Sequence, residues 1–261
     1  MLILLPPSET KRDGGAGDRL DLGLLSFTSL TKTRRAVIRS VTELSRDREA
    51  SIRALKLGPK QHAEVDRNRT MRRSPTMPAV ERYTGVLYDA LDVSTLSRPE
   101  RAFAHRTVAV HSALFGLVAA DDAIPSYRLS FDSRLPETTL KKAWSAPVAM
   151  TLAKRDGLIL DLRSEGYVAL GPLPVREDAL YLRVLARDAQ GTVRALNHFN
   201  KQAKGLFTRA LIRNGAELSN TRELLAWSRA QGYDLAVRDG ALELVVPEVV
   251  GVPGRLMAAL R

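Results

Sequence analysis

Tyr127 and Arg128 stand side by side just after Pro125, where a turn could deliver both side chains to a bound molecule. The preceding run, 112–120, is apolar and helix-like in pattern, and two aspartates end it. A guanidinium binds phosphate or carboxylate, and a phenol can stack on a ring or donate a hydrogen bond. Equally, Arg128 could pair with a nearby acid while Tyr127 fills the core. The stretch alone leaves both roles open.

Two short apolar runs each lead directly into polar residues. Residues 2–5 and 158–162 read as buried strands, and 8–11 and 163–167 follow them with hydroxyl, acidic and basic groups. Ligand groups in α/β proteins commonly lie where buried strands end. If the two strands are neighbours, the clusters form one site. Its expected lining from these clusters is Ser8, Glu9, Lys11, Ser164, Glu165 and Tyr167.

Residues 200–214 predict an amphipathic helix that Asn-Gly ends. Lys201, Lys204 and Thr208 share one polar face, and Arg209 lies on the adjacent one. Two lysines near the first turn add positive charge at the positive end of the helix dipole, which is unfavourable. A bound anion would relieve that repulsion. A solvated basic face is the alternative.

Residues 31–57 are helical in character, and the turn 56–60 precedes another helix-like piece. This layout is that of a helix-hairpin-helix motif, whose backbone N–H groups contact DNA phosphates without reading sequence. The match is partial because Lys56 stands where the motif has its first glycine, and Gly-Pro can be a simple connector. The basic, proline-containing stretch 67–82 predicts a flexible surface loop.

The charge balance favours a polyanionic partner. Forty Lys and Arg against 29 Asp and Glu give a net charge of +11, which suits nucleic acid or phosphorylated small molecules. A generally arginine-rich composition is the alternative. The absence of cysteine excludes disulfides, thiolate metal sites and thiol-based peroxide chemistry. His105 and His111 lack metal-ligand partners at suitable spacing, so neither a metal nor a cofactor is expected.

The 261 residues suit one large domain or two closely packed ones. Residues 139–154 predict a helix, and 180–187 with 192–199 predict an antiparallel pair. An Asp-Gly turn predicts a hairpin of 233–237 with 242–246. No apolar run approaches a membrane span, and the first apolar run is too short for a signal peptide. A cytoplasmic protein with no membrane partner is therefore expected.

Five motifs, in this order, resemble the YaaA family of peroxide-stress proteins over nearly the whole chain. MLILLPPSETK is similar to the family's apolar strand with its Pro-Pro-Ser-Glu type element. The other elements are aromatic-x-Gly-x-x-Tyr-x-x-Leu at 83–91, Leu-Tyr-Gly leading to Pro-Tyr-Arg-Leu at 114–129, Asn-Leu-Ala-Ser-x-Glu-Tyr at 161–167, and Lys-x-Ala-Arg-Gly-x-x-x-Arg at 201–209.

The resemblance implies a mixed α/β fold in a single domain over 1–261, with a mixed sheet flanked by helices and a helix-hairpin-helix-like element. It also implies a basic cleft, DNA binding, and a role in limiting peroxide damage with lowered free iron. The chain departs from the family pattern at three places. Residues 119–122 lack the family's Arg-Pro-Leu-Asp, Gly166 replaces the acid before Tyr167, and Ala169 replaces a lysine.

Two functional hypotheses follow, with DNA binding in a stress response preferred. It assigns phosphate contacts to Lys11, Arg128, Lys201, Lys204 and Arg209, and base stacking to Tyr83, Tyr88, Tyr127 and Tyr167. Such binding needs no sequence specificity. The alternative is an enzyme acting on a nucleotide or other phosphorylated small molecule, because Glu and Lys could serve as acid and base. A third possibility is an internal hydrogen-bond network that fixes the fold.

Overall fold

A computed structural model describes residues 1–187, 190, 192–195, 200–215 and 217–247. The strands are β1 (Leu2–Leu5), β2 (Gly17–Arg19), β3 (Pro75–Pro78), β4 (Val108–Ser112), β5 (Gly116–Ala119), β6 (Ala123–Ile124), β7 (Ile159–Asp161), β8 (Ala179–Arg187), β9 (Val193–Ala195), β10 (Asp234–Arg238) and β11 (Ala241–Pro247). The α-helices are α1 (Thr31–Leu44), α2 (Arg48–Ala54), α3 (Glu64–Thr70), α4 (Ala79–Arg82), α5 (Val86–Leu91), α6 (Arg98–Thr107), α7 (Leu140–Ala153), α8 (Glu165–Val168), α9 (Asn200–Asn214) and α10 (Thr221–Ala230).

The main sheet is mixed, with the order β10-β11-β8-β7-β1-β4-β5 and with β9 paired to β8. Strand β1 lies between β4 and β7, parallel to both, and Ile3 is in register with Val108 and Leu160. Strands β7 and β8 are also parallel. The carboxyl ends of β1, β4 and β7 therefore share one edge of the sheet. The expectation that the two strand-end clusters are neighbours requires β1 to pair with β7, and the structure shows this pairing.

Helix α9 lies unusually close to α5 because Gly205 has no side chain. A Cβ added there would stand 2.3 Å from the backbone oxygen of Leu87 and 2.8 Å from the Cβ of Ala90. Real Cβ atoms do not approach other atoms so closely, so the glycine permits the contact. This packing brings Lys204, the preceding residue, towards the sheet.

Several predicted elements are confirmed. Helix α9 has the predicted bounds, and α7 spans all but the ends of 139–154. The β10–β11 turn places Asp239 at φ 47° and Gly240 at φ 72°, the geometry of an Asp-Gly hairpin. The β8–β9 pair is antiparallel, and 196–199 lie outside the described residues. The chain is one mixed α/β domain, as the resemblance implied. Within the described part, no helix is long and apolar enough to cross a bilayer.

The apolar run 112–120 is not helical, so that expectation was wrong. Val108–Ser112 and Gly116–Ala119 are antiparallel strands. Gly116 turns the chain at φ 67°, and the hydroxyl of Ser112 accepts the N–H groups of Leu114 and Phe115. Both strands are entirely buried. A strand covered on both faces loses the polar–apolar alternation by which it is recognised, and its continuous apolar run resembles a helix.

The segment 67–82 is likewise not a loop. It contains the end of α3, a 3₁₀ turn, strand β3 between β2 and β6, and α4. Arg82 is fully buried, and its guanidinium donates to the backbone oxygens of Arg12, Pro75 and Ile124. Three carbonyl partners compensate for burying this charge. The polar composition that predicted a loop instead provides hydrogen bonds that fix the segment.

Candidate functional site

Lys11 lies at the edge formed by the carboxyl ends of the parallel strands. The loop after β1 carries it, and a β-bridge joins it to Tyr83. Its ammonium donates to the backbone oxygens of Ser8 and Glu9, at 3.1 and 3.3 Å, and lies 4.3 Å from the centre of the Tyr127 ring. Only 9% of the residue is exposed. Burial, followed by the charge of Arg128, lowers the pKa of Lys11 to about 7.

Two tyrosines continue the site through a chain of hydroxyl groups. The hydroxyls of Tyr83 and Tyr127 are 2.8 Å apart, and that of Tyr127 is 2.7 Å from the hydroxyl of Ser112. Tyr88 donates to the backbone oxygen of Pro6 at 2.8 Å. Burial raises the pKa of Tyr127 to about 12 and keeps the pKa values of Tyr83 and Tyr88 well above their usual range. These phenols therefore stay neutral at physiological pH.

Arg128 is held between an acid and an amide. Its guanidinium lies 3.0 Å from the carboxylate of Glu9, and Asn68 bonds both the N–H and the carbonyl of its backbone. Only 11% of the Arg128 side chain is exposed, against 67% for Glu9. The sequence alternative that Arg128 pairs with a nearby acid is therefore realised. Since Glu9 is exposed, a ligand anion could replace it.

Lys204 reaches the same edge from α9. It is buried, and its ammonium lies 5.3 Å from the centre of the Tyr181 ring. Burial lowers its pKa to about 8, opposed by the charges of Asp161 and Glu165. The prediction that Lys204 and Thr208 lie on a polar face is wrong, because both residues are buried. Packing against α5 and the sheet overrides the pattern that predicted a solvated face.

A fully buried ion pair lies behind this site, and sequence reasoning missed it. Arg163 forms two hydrogen bonds with the carboxylate of Asp161, at 2.8 and 2.6 Å, and its remaining Nη1 lies 2.7 Å from Nδ1 of His111. Because a guanidinium only donates, His111 carries its proton on Nε2. Burial and the charge of Arg163 hold the pKa of His111 well below its usual range. The available signal was the Asp-Leu-Arg sequence, where the family element has Asn-Leu-Ala.

The other predicted site residues are distributed differently. Ser8 is half-buried, and Ser164 and Glu165 are exposed at the start of α8. Tyr167 is buried between the rings of His111 and Phe131. Lys201 is exposed. The guanidinium of Arg209 is used at the end of α5, where it donates to the backbone oxygens of Leu91 and Asp92. Arg209 therefore has a structural role.

The turn between α2 and α3 has a conformation relevant to the predicted helix-hairpin-helix element. Lys56, at the place of the motif's first glycine, has φ 54° in the left-handed region. Its ammonium lies 2.6 Å from the carboxylate of Asp132. Gly58 begins a 3₁₀ turn, Pro59–Gln61, that leads to α3. The turn therefore adopts at Lys56 the conformation that glycine favours.

Together these residues place buried amines, phenols and a paired guanidinium along the edge where β1 and β7 end. Tyr83, Tyr88, Tyr127 and Tyr167 are each no more than 7% exposed, so their ring faces are not available for stacking on bases. Within the described ranges, no group of His, Asp and Glu is arranged to hold a metal ion. The arrangement can bind a small anion and exchange a proton with it.

Comparison with known proteins agrees with this reading of the motifs. A family model described as peroxide stress protein YaaA matches residues 1–238. A UPF0246 protein of Corynebacterium efficiens is 42% identical over 248 residues, which cover 93% of this chain and 98% of that protein. One from Streptomyces coelicolor is 38% identical over 260 residues, covering 95% and 100%. The chain therefore belongs to the YaaA family of peroxide stress proteins.

Proposed function

We propose that this protein binds a small phosphorylated molecule, such as a nucleotide, at the edge where β1, β4 and β7 end, and exchanges a proton with it through Lys11. Family membership is consistent with a role in peroxide stress. The observation that carries the proposal is the burial of Lys11, whose ammonium lies 4.3 Å from the centre of the Tyr127 ring. This burial lowers the pKa of Lys11 to about 7. An amine with that pKa is available as both acid and base near neutral pH.

The burial of these residues also favours a small ligand over DNA as what they bind. Lys11, Arg128 and Lys204 are each at most 9% exposed. A duplex backbone is contacted by side chains that reach out from the surface, whereas a small ligand can enter a recess. The strand-end position is where open α/β sheets bind their ligands. In this arrangement Lys204 and Arg128 contact the anion.

The site's anion affinity is expected to fall as the pH rises through 7. Lys11 is protonated and attractive below its pKa and neutral above it. We expect a panel of nucleotides and sugar phosphates, titrated by calorimetry at pH 6.5 and 8.5, to contain a ligand that binds up to about tenfold more weakly at the higher pH. Lys11→Met should reduce this dependence to the part contributed by Lys204, whose pKa is about 8. Lys204→Met should weaken binding at least about tenfold.

Lys201→Met is the matched control, because Lys201 is exposed on the same helix. It should leave the affinity within about twofold of wild type, as an exposed charge contributes little. If Lys201→Met weakens binding as much as Lys204→Met, the ligand is held by surface charge. If no phosphorylated compound in the panel binds, the proposal is wrong.

DNA binding is a second candidate function, and the turn after α2 favours it. The left-handed conformation of Lys56 and the net charge of +11 both suit phosphate contact by backbone N–H groups. We expect salt-sensitive binding of duplex DNA, measured by fluorescence anisotropy. Gly58→Glu should weaken it at least about tenfold through repulsion of phosphate. Arg128→Ala should have no effect, because that side chain is buried and paired.

Ala230→Glu is the control, since it adds the same charge at an exposed position at the end of α10. Equal weakening by Gly58→Glu and Ala230→Glu would mean that overall charge, and not the turn, binds DNA. Affinity that is unchanged between 50 and about 300 mM salt would contradict phosphate contact altogether.

A further inference from the structure

An apolar concavity lies away from the strand-end site, beside α10. Its volume is about 900 Å³. One wall is the segment 173–175, the second is the outer face of α10, and the third is the β10–β11 hairpin at Val237 and Gly240. None of the residues of the strand-end site lines it. We call this concavity the α10 groove.

The groove displays apolar side chains that the fold leaves uncovered. Val175 is fully exposed, at 105%, and Val237 is 43% exposed. Leu173 and Leu225 are only partly buried. Single exposed apolar residues are ordinary, but a concave group of them marks an interaction surface in a soluble protein.

The first wall is stiff before any partner arrives. Pro172 and Pro174 flank Leu173, and a proline ring fixes its own φ and restricts the residue before it. The neighbouring guanidinium of Arg176 donates to the backbone oxygen of Gly157 at 2.6 Å. A preformed wall lowers the entropy lost on binding.

The charges at the rim select the partner. Arg222 and Arg229 are exposed and line the groove from α10. In the described part of the chain neither forms an ion pair with a carboxylate. They stand seven positions apart on the helix, which is about 10 Å along its axis. Glu177 is the acidic residue of the lining, so the rim remains net positive.

We propose that the α10 groove binds an amphipathic acidic helix of another protein. The partner's apolar residues, spaced three and four apart, pack against Val175, Leu225 and Val237. Two of its carboxylates, seven residues apart, pair with Arg222 and Arg229. This is the helix-in-groove mode of recognition. The positive rim disfavours a basic segment, and the apolar lining favours a partner with an apolar face over DNA.

The chain has no cysteine, so Val175→Cys provides a single labelling site for an environment-sensitive fluorophore. The probe is a synthetic helix with leucines on one face and glutamates seven residues apart, and its comparison is the same helix with lysines. We expect saturable binding of the acidic helix with a blue shift of emission. Arg222→Glu with Arg229→Glu should raise the Kd at least about tenfold and transfer preference to the lysine helix.

Arg35→Glu with Arg39→Glu is the matched control, because both are exposed on one face of α1, outside the groove. It should leave the acidic helix bound. Equal binding of the acidic and basic helices, or none below about 1 mM, would overturn the proposal. Two other results would also overturn it. One is that the free protein already shows the emission of a buried label. The other is that sedimentation shows a dimer that Val175→Asp dissociates.

Discussion

Asp161→Ala is expected to lower the free energy of unfolding by about 3–5 kcal/mol. Asp161 and Arg163 are both fully buried, and the carboxylate accepts two hydrogen bonds from the guanidinium. Removing the acid leaves a buried charge without compensation, which costs more than the pair contributes. Urea denaturation at pH 7 measures the loss.

The double variant Asp161→Asn with Arg163→Ala tests the reason for that loss. It restores the residue types of the family element and removes both charges together. We expect it to lose less stability than Asp161→Ala, although it retains fewer hydrogen bonds. If the double variant is the less stable of the two, the cost comes from lost packing and not from an unpaired charge.

The stability of the protein is expected to rise with pH above 7 because of Lys11. Its pKa is about 7 in the folded protein and near 10.5 when unfolded. Between these values the unfolded chain binds more protons than the folded one, so raising the pH favours folding. Below pH 7 Lys11 is protonated in both the folded and the unfolded state, so the folded protein carries the full cost of burying that charge.

Comparison of wild type with Lys11→Met isolates this effect. From pH 7 to 9.5 the wild type should gain about 3 kcal/mol relative to the variant. Methionine has similar length and no charge, and Lys204 titrates in both proteins and cancels. Parallel pH profiles would contradict a depressed pKa at Lys11. A buried amine retained at such a cost is typical of a functional residue.

The sequence indicated the strand-end site because its signals are local. An apolar run followed directly by polar residues identifies both Lys11 and the start of α8, and only the pairing of β1 with β7 was needed to bring the clusters together. The Asp-Gly hairpin and the bounds of α9 also depend on neighbouring residues. Such features can be predicted from short stretches.

Burial could not be predicted in the same way, because it depends on distant contacts. The polar face of α9 is solvated in isolation, but Gly205 lets the helix approach α5 and Lys204 becomes buried. The sequence around Arg82 predicts a basic loop, but in the fold its guanidinium donates to the backbone oxygens of Arg12 and Ile124. The Arg163–His111 contact joins residues 52 positions apart.

The titration of Lys11 by NMR tests the account most directly. Lysines labelled with ¹³C at Cε report the charge of each amine, and Lys11→Met assigns the signal. We predict a midpoint near pH 7, which rises when a phosphorylated ligand binds, because an anion favours the charged amine. A midpoint near pH 10.4, the value of an ordinary lysine, would contradict it, because Lys11 would then stay charged and could not act as a base near neutral pH.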